Sequence, residues 1–209
     1  SKELKPENRS SLSVYKPEGA YGLIKKHPKP NAILINDATL WTCGPKGTLA
    51  EWDILFVDGK IEQVAPDITV PQGSAVVIEG AGKHITPGLI DCHSHSAASS
   101  INEGTQYITS EVRMRDVIDP NDINIYRQLG GGLTTANVLH GSANPIGGQN
   151  VVIKLRWGSN ANELIFKNAP EGIKFALGEN VKQANWSGTN RYPQTRMGVE
   201  QVIRDAFRA

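Results

Sequence analysis

Five side chains in this sequence have the types and spacing to do chemistry. His93 and His95 stand one residue apart at the end of the run Lys83-His84-Ile85-Thr86-Pro87-Gly88-Leu89-Ile90-Asp91-Cys92-His93-Ser94-His95. Alternate residues of a strand share a face, so the two imidazoles point the same way and can hold one divalent ion. An isolated His-x-His also arises among ordinary surface or core histidines, so the pair alone leaves both readings open. His140 ends a second apolar run, Leu133 to Leu139, where it reads as a substrate contact, a ligand or a bystander. Glu179 follows a third run, Gly172 to Leu177, and Lys174 stands near the start of that run. A buried lysine can be carbamylated and bridge two metals, but strand-end position favours Glu179 as the ligand, with a loop-capping carboxylate as its bland alternative. Imidazole and carboxylate together suit zinc, and also manganese, iron or cobalt. Such an ion lowers the pKa of a water and polarises a carbonyl, which is hydrolytic chemistry. One or two ions are both compatible with these residues.

Other residues are expected to be inert. Cys92 falls on the opposite strand face from the histidines and is expected to be a buried thiol. His27 and His84 are expected to be structural or exposed. Gly130-Gly131-Gly132 and Gly147-Gly148 fit no phosphate-loop spacing, and Ser142 lacks the pattern of a serine nucleophile. The chain has 209 residues with 22 basic and 21 acidic side chains, a net charge of +1. That balance offers no electrostatic footprint for nucleic acid or an anionic membrane. Two cysteines make no disulfide framework. No run of 18 apolar residues exists and no signal peptide is seen, so the expectation is a soluble protein, cytoplasmic or exported after processing.

The elements that must position these groups follow from pattern. Residues 1–30, polar and rich in Lys, Pro and Ser, read as an extended arm. Residues 31–83 carry short β-branched runs broken by turn residues, among them the hairpin dipeptide Asp58-Gly59. They predict a small antiparallel β unit too small to stand alone. Residues 84–92 predict a strand buried on both faces, as in parallel sheets. Asp119-Pro120-Asn121-Asp122 predicts a helix start capped by Asp119, with Ile123, Tyr126 and Leu129 as its apolar stripe and the three glycines as its stop. Residues 133–139 predict a strand, 140–149 a loop, 151–155 a strand or loop ribbon, and 172–177 a buried strand. A final helix is predicted with Thr195 as its cap and Val199, Val202, Ile203, Ala206 and Phe207 on one face. From residue 84 onward, strands alternating with helices argue βα units around a parallel sheet or barrel, with functional groups at strand C-termini.

The run Thr86-Pro87-Gly88-Leu89-Ile90-Asp91-Cys92-His93-Ser94-His95 resembles the first-strand motif of the amidohydrolase superfamily. Asp58-Gly59-Lys60-Ile61 resembles its N-terminal β-sandwich piece. Gly132-Leu133-Thr134-Thr135, residues 141–149 and Ala176-Leu177-Gly178-Glu179-Asn180 resemble its imidazolonepropionase-related branch. The resemblance covers about residues 31–209. It implies an α/β fold: a small β-sandwich unit over 31–83, then the first half of a TIM-like (β/α)8 barrel over 84–209. It implies a metal-dependent hydrolase of amide, cyclic amide or peptide C–N bonds, with His93 and His95 as metal ligands and zinc as the expected ion. Glu179 matches the carboxylate ligand of members related to N-acetylglucosamine-6-phosphate deacetylases, while members with a carbamylated lysine keep Lys174 in play. The family's further histidines and its aspartate general base have no counterpart here, and a full barrel takes about 250 residues. The expectation is therefore an N-terminal portion, inactive alone, that needs a complementary C-terminal half and tends to associate. A binding module with a relic metal site is the competing reading, and a phosphoester or lactone hydrolase on the same scaffold is a third.

Overall fold

The computed structural model describes residues 30–208. Nearly all of the expected N-terminal arm, with His27, lies outside the described residues. The first sheet is built around β1 (Ala32–Trp41). It pairs antiparallel with β2 (Thr48–Val57) and parallel with β4 (Val76–Glu79) and β5 (His84–Ile85). β3 (Lys60–Ala65) returns from β2 through Asp58-Gly59. Both turn residues have positive φ, 50° and 76°, as a two-residue hairpin requires. The sheet is thus mixed rather than antiparallel throughout.

The apolar runs 32–35 and 38–41 join in one strand with a bulge between them. Asp37 carries that bulge at φ 55°. The buried Asp53 carboxylate accepts hydrogen bonds from the N–H groups of Asp37 and Ile68, each at 2.9 Å. One side chain thereby satisfies two backbone donors that the bulge and the 66–68 loop would leave unpaired. Gly80 meets the same bulge, where an added Cβ would lie 2.4 Å from the Asn36 carbonyl oxygen. Ala38, Leu40 and Ile54 form the core beneath, with Trp52 and Phe56 against it.

The second region begins with β6 (Leu89–Ser94), continues through helix α1 (Ile123–Gly130), and returns as β7 (Leu133–Val138) parallel to β6. This is one βαβ unit. Its helix starts three residues later than expected, because Asp122 and not Asp119 is the cap. One Asp122 oxygen accepts from the Asn124 N–H at 2.9 Å, and the other accepts from the Ala97 N–H at 2.7 Å. The cap therefore also ties the helix to the chain leaving β6. Ile125, absent from the expected stripe, is the buried residue of α1. It joins Met114, Ala136, Val138, Ile153 and Leu164 in the larger core.

After β7 the chain departs from simple alternation. β8 (Ile146–Gln149) lies where a loop was expected. β9 (Val151–Lys154) runs antiparallel to β7, and β10 (Ile173–Phe175) antiparallel to β8 rather than beside β7. Helix α2 (Ala161–Leu164) has a reciprocal capping box between Asn160 and Glu163. The chain closes with α3 (Arg196–Ala206) after Thr195, whose side chain makes no capping hydrogen bond. Burial corrects two expectations about β6. Leu89 and Ile90 are 60% and 70% exposed and Cys92 is exposed, because the described residues cover neither face of β6 over residues 89–92. In β10 only Lys174 is buried, with Ala176 just beyond the strand, so that segment is buried on one face. Phe207 is exposed and stacks on Phe175, at 6.2 Å between ring centroids.

Candidate active site at the end of β6

His93 is the penultimate residue of β6 and His95 follows its last residue. Strand alternation buries Ser94 and leaves both imidazoles exposed on one side. Their ring centroids are 5.2 Å apart, edge to face. The Asp91 carboxylate accepts from the His93 backbone N–H at 3.0 Å and steadies the strand end. His95 Nδ1 lies 2.9 Å from the Leu139 carbonyl oxygen, so Nδ1 carries the proton and Nε2 presents its lone pair. This orienting bond comes from the tip of β7, the neighbouring parallel strand.

Lys174 reaches the pair from β10. Its Nζ lies 3.3 Å from His93 Nε2, and the residue is only 7% exposed. Burial lowers the Lys174 pKa, since a charged ammonium is costly away from water. The Lys174 charge in turn is the first cause that lowers the His93 pKa, with burial and His95 adding to it. Both shifts favour neutral nitrogen donors, the form in which a metal is bound.

Glu179 stands elsewhere. Its exposed carboxylate is 2.5 Å from Lys182 Nζ and 3.6 Å from an Arg196 nitrogen, and the bond from Lys182 is the first cause of its lowered pKa. No group of three or more His, Cys, Asp or Glu that could hold a metal occurs among the described residues. What the chain assembles is two imidazoles and a buried amine. This donor set fits part of the coordination sphere of a borderline divalent ion such as zinc.

His140 is 1% exposed, and both of its ring nitrogens are committed to backbone. Nδ1 donates to the Gly141 carbonyl oxygen at 2.9 Å, and Nε2 accepts from the Glu103 N–H at 2.8 Å. The ring is a neutral strut between the β7 tip and the 101–106 loop, without a free nitrogen for a substrate. Burial is the main cause of its lowered pKa. His84 accepts from the Trp41 indole N–H at 3.0 Å within the first sheet.

The contact of Lys174 with His93 is the arrangement that sequence reasoning underweighted. Its signal was one lysine on the inward face of the short run Ile173-Lys174-Phe175-Ala176, where Lys174 and Ala176 alternate with exposed neighbours. Two depressions flank the imidazoles. One, of about 500 Å³, is lined by His93, Lys174, Phe175 and Glu179; the other, of about 400 Å³, by His95, Asn102, Asn185 and Trp186. Ser142 and Asn180 line both.

No protein-family model matches the chain. Amidohydrolase tasK of Hapsidospora irregularis is 33% identical over 208 residues, covering 83% of this chain and 21% of that protein. Imidazolonepropionase of Klebsiella pneumoniae (strain 342) is 41% identical over 51 residues, 24% of this chain and 12% of that one. The crystal structure of an amidohydrolase from Thermotoga maritima MSB8 superimposes with a TM-score of 0.73 at 37% identity, over 84% of this chain and 46% of the other. The chain thus spans less than half the length of each of these proteins. With the paired imidazoles at the end of a parallel strand, these likenesses make the chain a member of the amidohydrolase superfamily, matching the N-terminal portion of its relatives.

Proposed function

We propose that this chain supplies the first-strand ligands of a metal-dependent hydrolase acting on amide, cyclic amide or peptide C–N bonds. The observation that carries the reading is the imidazole pair with its orienting bond. His95 Nδ1–H is held by the Leu139 carbonyl, and Lys174 stands at His93 Nε2. His93 and His95 are the metal ligands. Of the two further candidates, the geometry favours Lys174 over Glu179, since Glu179 is occupied by Lys182 and Arg196. A neutral Lys174 amine adds to carbon dioxide and releases one proton, which turns it into the carboxylate that the donor set otherwise lacks. A bound divalent ion supplies an acidified water and polarises the scissile carbonyl. The chain's own residues hold the His95 imidazole in one tautomer, keep Lys174 buried, and form the floor of the cleft. The general base and the remaining ligands come from a complementary C-terminal half, as the partial coverage of longer relatives supports. That half completes a TIM-like barrel of which residues 84–209 are the first part, with 31–83 contributing to a β-sandwich.

Metal analysis of the purified protein tests the reading. Stoichiometric zinc is expected, lost in the His93→Ala/His95→Ala double variant and in Lys174→Ala, and kept in Glu179→Ala. Loss in Glu179→Ala with retention in Lys174→Ala reverses the assignment of the third ligand. An assembly that contains both halves and still takes up no divalent metal overturns the metallohydrolase reading in favour of a binding module.

A further inference from the structure

The two depressions beside the imidazole pair differ in charge. On the His93 side stand Lys174 and Glu179. Among the described residues, the wall on the His95 side contains no acidic or basic side chain other than His95 itself. Its polar groups are amides and a hydroxyl, and their orientation is set by bonds already made. Asn102 Oδ1 accepts from the Ala143 N–H at 3.2 Å. Asn185 Nδ2 donates to the Glu179 carbonyl oxygen at 2.9 Å. These partners dictate which end of each amide is oxygen. The Asn102 amide N–H groups, the Asn185 carbonyl oxygen, the Asn180 side chain and the Ser142 hydroxyl have no protein partner among the described residues. The wall therefore offers both donors and acceptors, and the Glu179 carboxylate that the Asn185 side chain also meets is already paired with Lys182 and Arg196.

Trp186 adds a flat apolar surface. Its indole N–H donates to the Asn180 carbonyl oxygen at 2.7 Å, which holds the ring, and the residue is 43% exposed. The backbone is shaped to seat this wall. An added Cβ at Gly141 would lie 2.3 Å from Asn102 Oδ1, so glycine at 141 is what lets Asn102 occupy the rim.

We infer that the His95-side depression is a specificity pocket for an uncharged, planar, hydrogen-bonding substituent of the substrate, of the carboxamide or ureide class. Such a group uses donors and acceptors together and lies against an indole face. A carboxylate there meets the Asn185 oxygen with no lysine or arginine in the wall, and an ammonium finds no unpaired carboxylate. A buried polar group left without its partner is the stronger source of discrimination. This inference rests on the proposed reading of the site, in that the pocket adjoins the reacting centre.

Binding of three capped amino acids to the full chain tests it: the methylamides of N-acetyl-glutamine, N-acetyl-glutamate and N-acetyl-lysine, followed by quenching of tryptophan fluorescence. The expected result is about tenfold tighter binding of the glutamine probe than of either charged one, the size of one unmatched polar contact. Trp186→Phe removes most of the quench while calorimetry still reads the glutamine preference. Asn180→Asp, with an unchanged circular dichroism spectrum, shifts preference toward the lysine probe. Equal affinity for all three, tighter binding of glutamate, no binding of any probe, or an Asn180→Asp variant that folds and keeps the glutamine preference each overturns the inference. Metal content is measured on the same samples. A glutamine preference without metal uptake counts against the proposed ligand set and leaves the pocket standing; metal uptake without a preference overturns the pocket and leaves the ligand set standing.

Discussion

His140 illustrates how burial turns a versatile side chain into a structural one. Its Nε2 accepts from a backbone N–H, so a proton on that nitrogen would break the bond and charge a buried ring. The native pKa is accordingly lowered from the ordinary 6.5. The unfolded chain then binds more protons than the native one below that ordinary value. Stability from this group is complete above about pH 6.5 and falls as pH drops toward the lowered native value. Urea unfolding from about pH 7.5 to about pH 5.5 should show a declining midpoint, and His140→Gln should flatten that slope at the cost of overall stability. The neighbouring glycines belong to the same packing. An added Cβ at Gly147 would lie 2.6 Å from His140 Nδ1. Gly147→Ala is expected to destabilise the chain by about 1–3 kcal/mol, the usual cost of overpacking, read from the same unfolding curves.

At the scale of elements, the imidazole pair is only as well placed as the strand end that carries it. The chain leaving β6 is held by Asp122, which accepts from Ala97 N–H while capping α1. The β7 tip then fixes the His95 tautomer through Leu139. One βαβ unit thus supplies the ligands, their backbone restraint and the orienting bond. Asp122→Ala removes a cap and a loop tie together, and a loss of about 1–3 kcal/mol is expected. Hydrogen exchange should show faster opening in residues 95–99 and in the first turn of α1, with β1 to β3 unchanged. Uniform acceleration across the chain would show that the cap is not local to this unit. β10 adds Lys174 from a different sheet, so the third nitrogen depends on how β10 pairs with β8.

The whole molecule carries apolar surface that its described residues do not cover. Leu89, Ile90, Leu177, Met197 and Phe207 are all at least 60% exposed, and β6 is paired along one edge only. Exposed apolar patches and open strand edges favour association. Sedimentation velocity of the chain alone should show concentration-dependent self-association that Ile90→Lys reduces. The same preparation, loaded with zinc, should give no turnover of amides or dipeptides, because the proposed general base lies outside it. Robust turnover by a verified monomer would remove the need for a complementary half. Among the described residues no helix is long and apolar enough to cross a membrane, so this apolar surface is not that of a transmembrane helix.

The order of residues alone determined what depends on neighbours along the chain. Strand alternation placed His93 and His95 on one face, Asp58-Gly59 specified a hairpin with both φ values positive, and the motif around the histidines pointed to the superfamily. Tertiary structure decided what depends on residues distant in sequence. Asp122 displaced Asp119 as the cap because it also reaches Ala97. The residues Ile146-Gly147-Gly148-Gln149 form a strand despite two glycines, because His140 and Val112 press against a backbone with no room for side chains. Cys92 is exposed because no described residue packs over it, although Ser94, on the same face of β6, is buried. Strand-end position favoured Glu179 over Lys174 as the partner of the imidazoles. The fold weighs the other way, since it pairs Glu179 with two cations and sets Lys174 against His93 across 81 residues of sequence. Local pattern fixes the direction of a side chain; which distant group it meets is settled by the packing of elements that no local window contains.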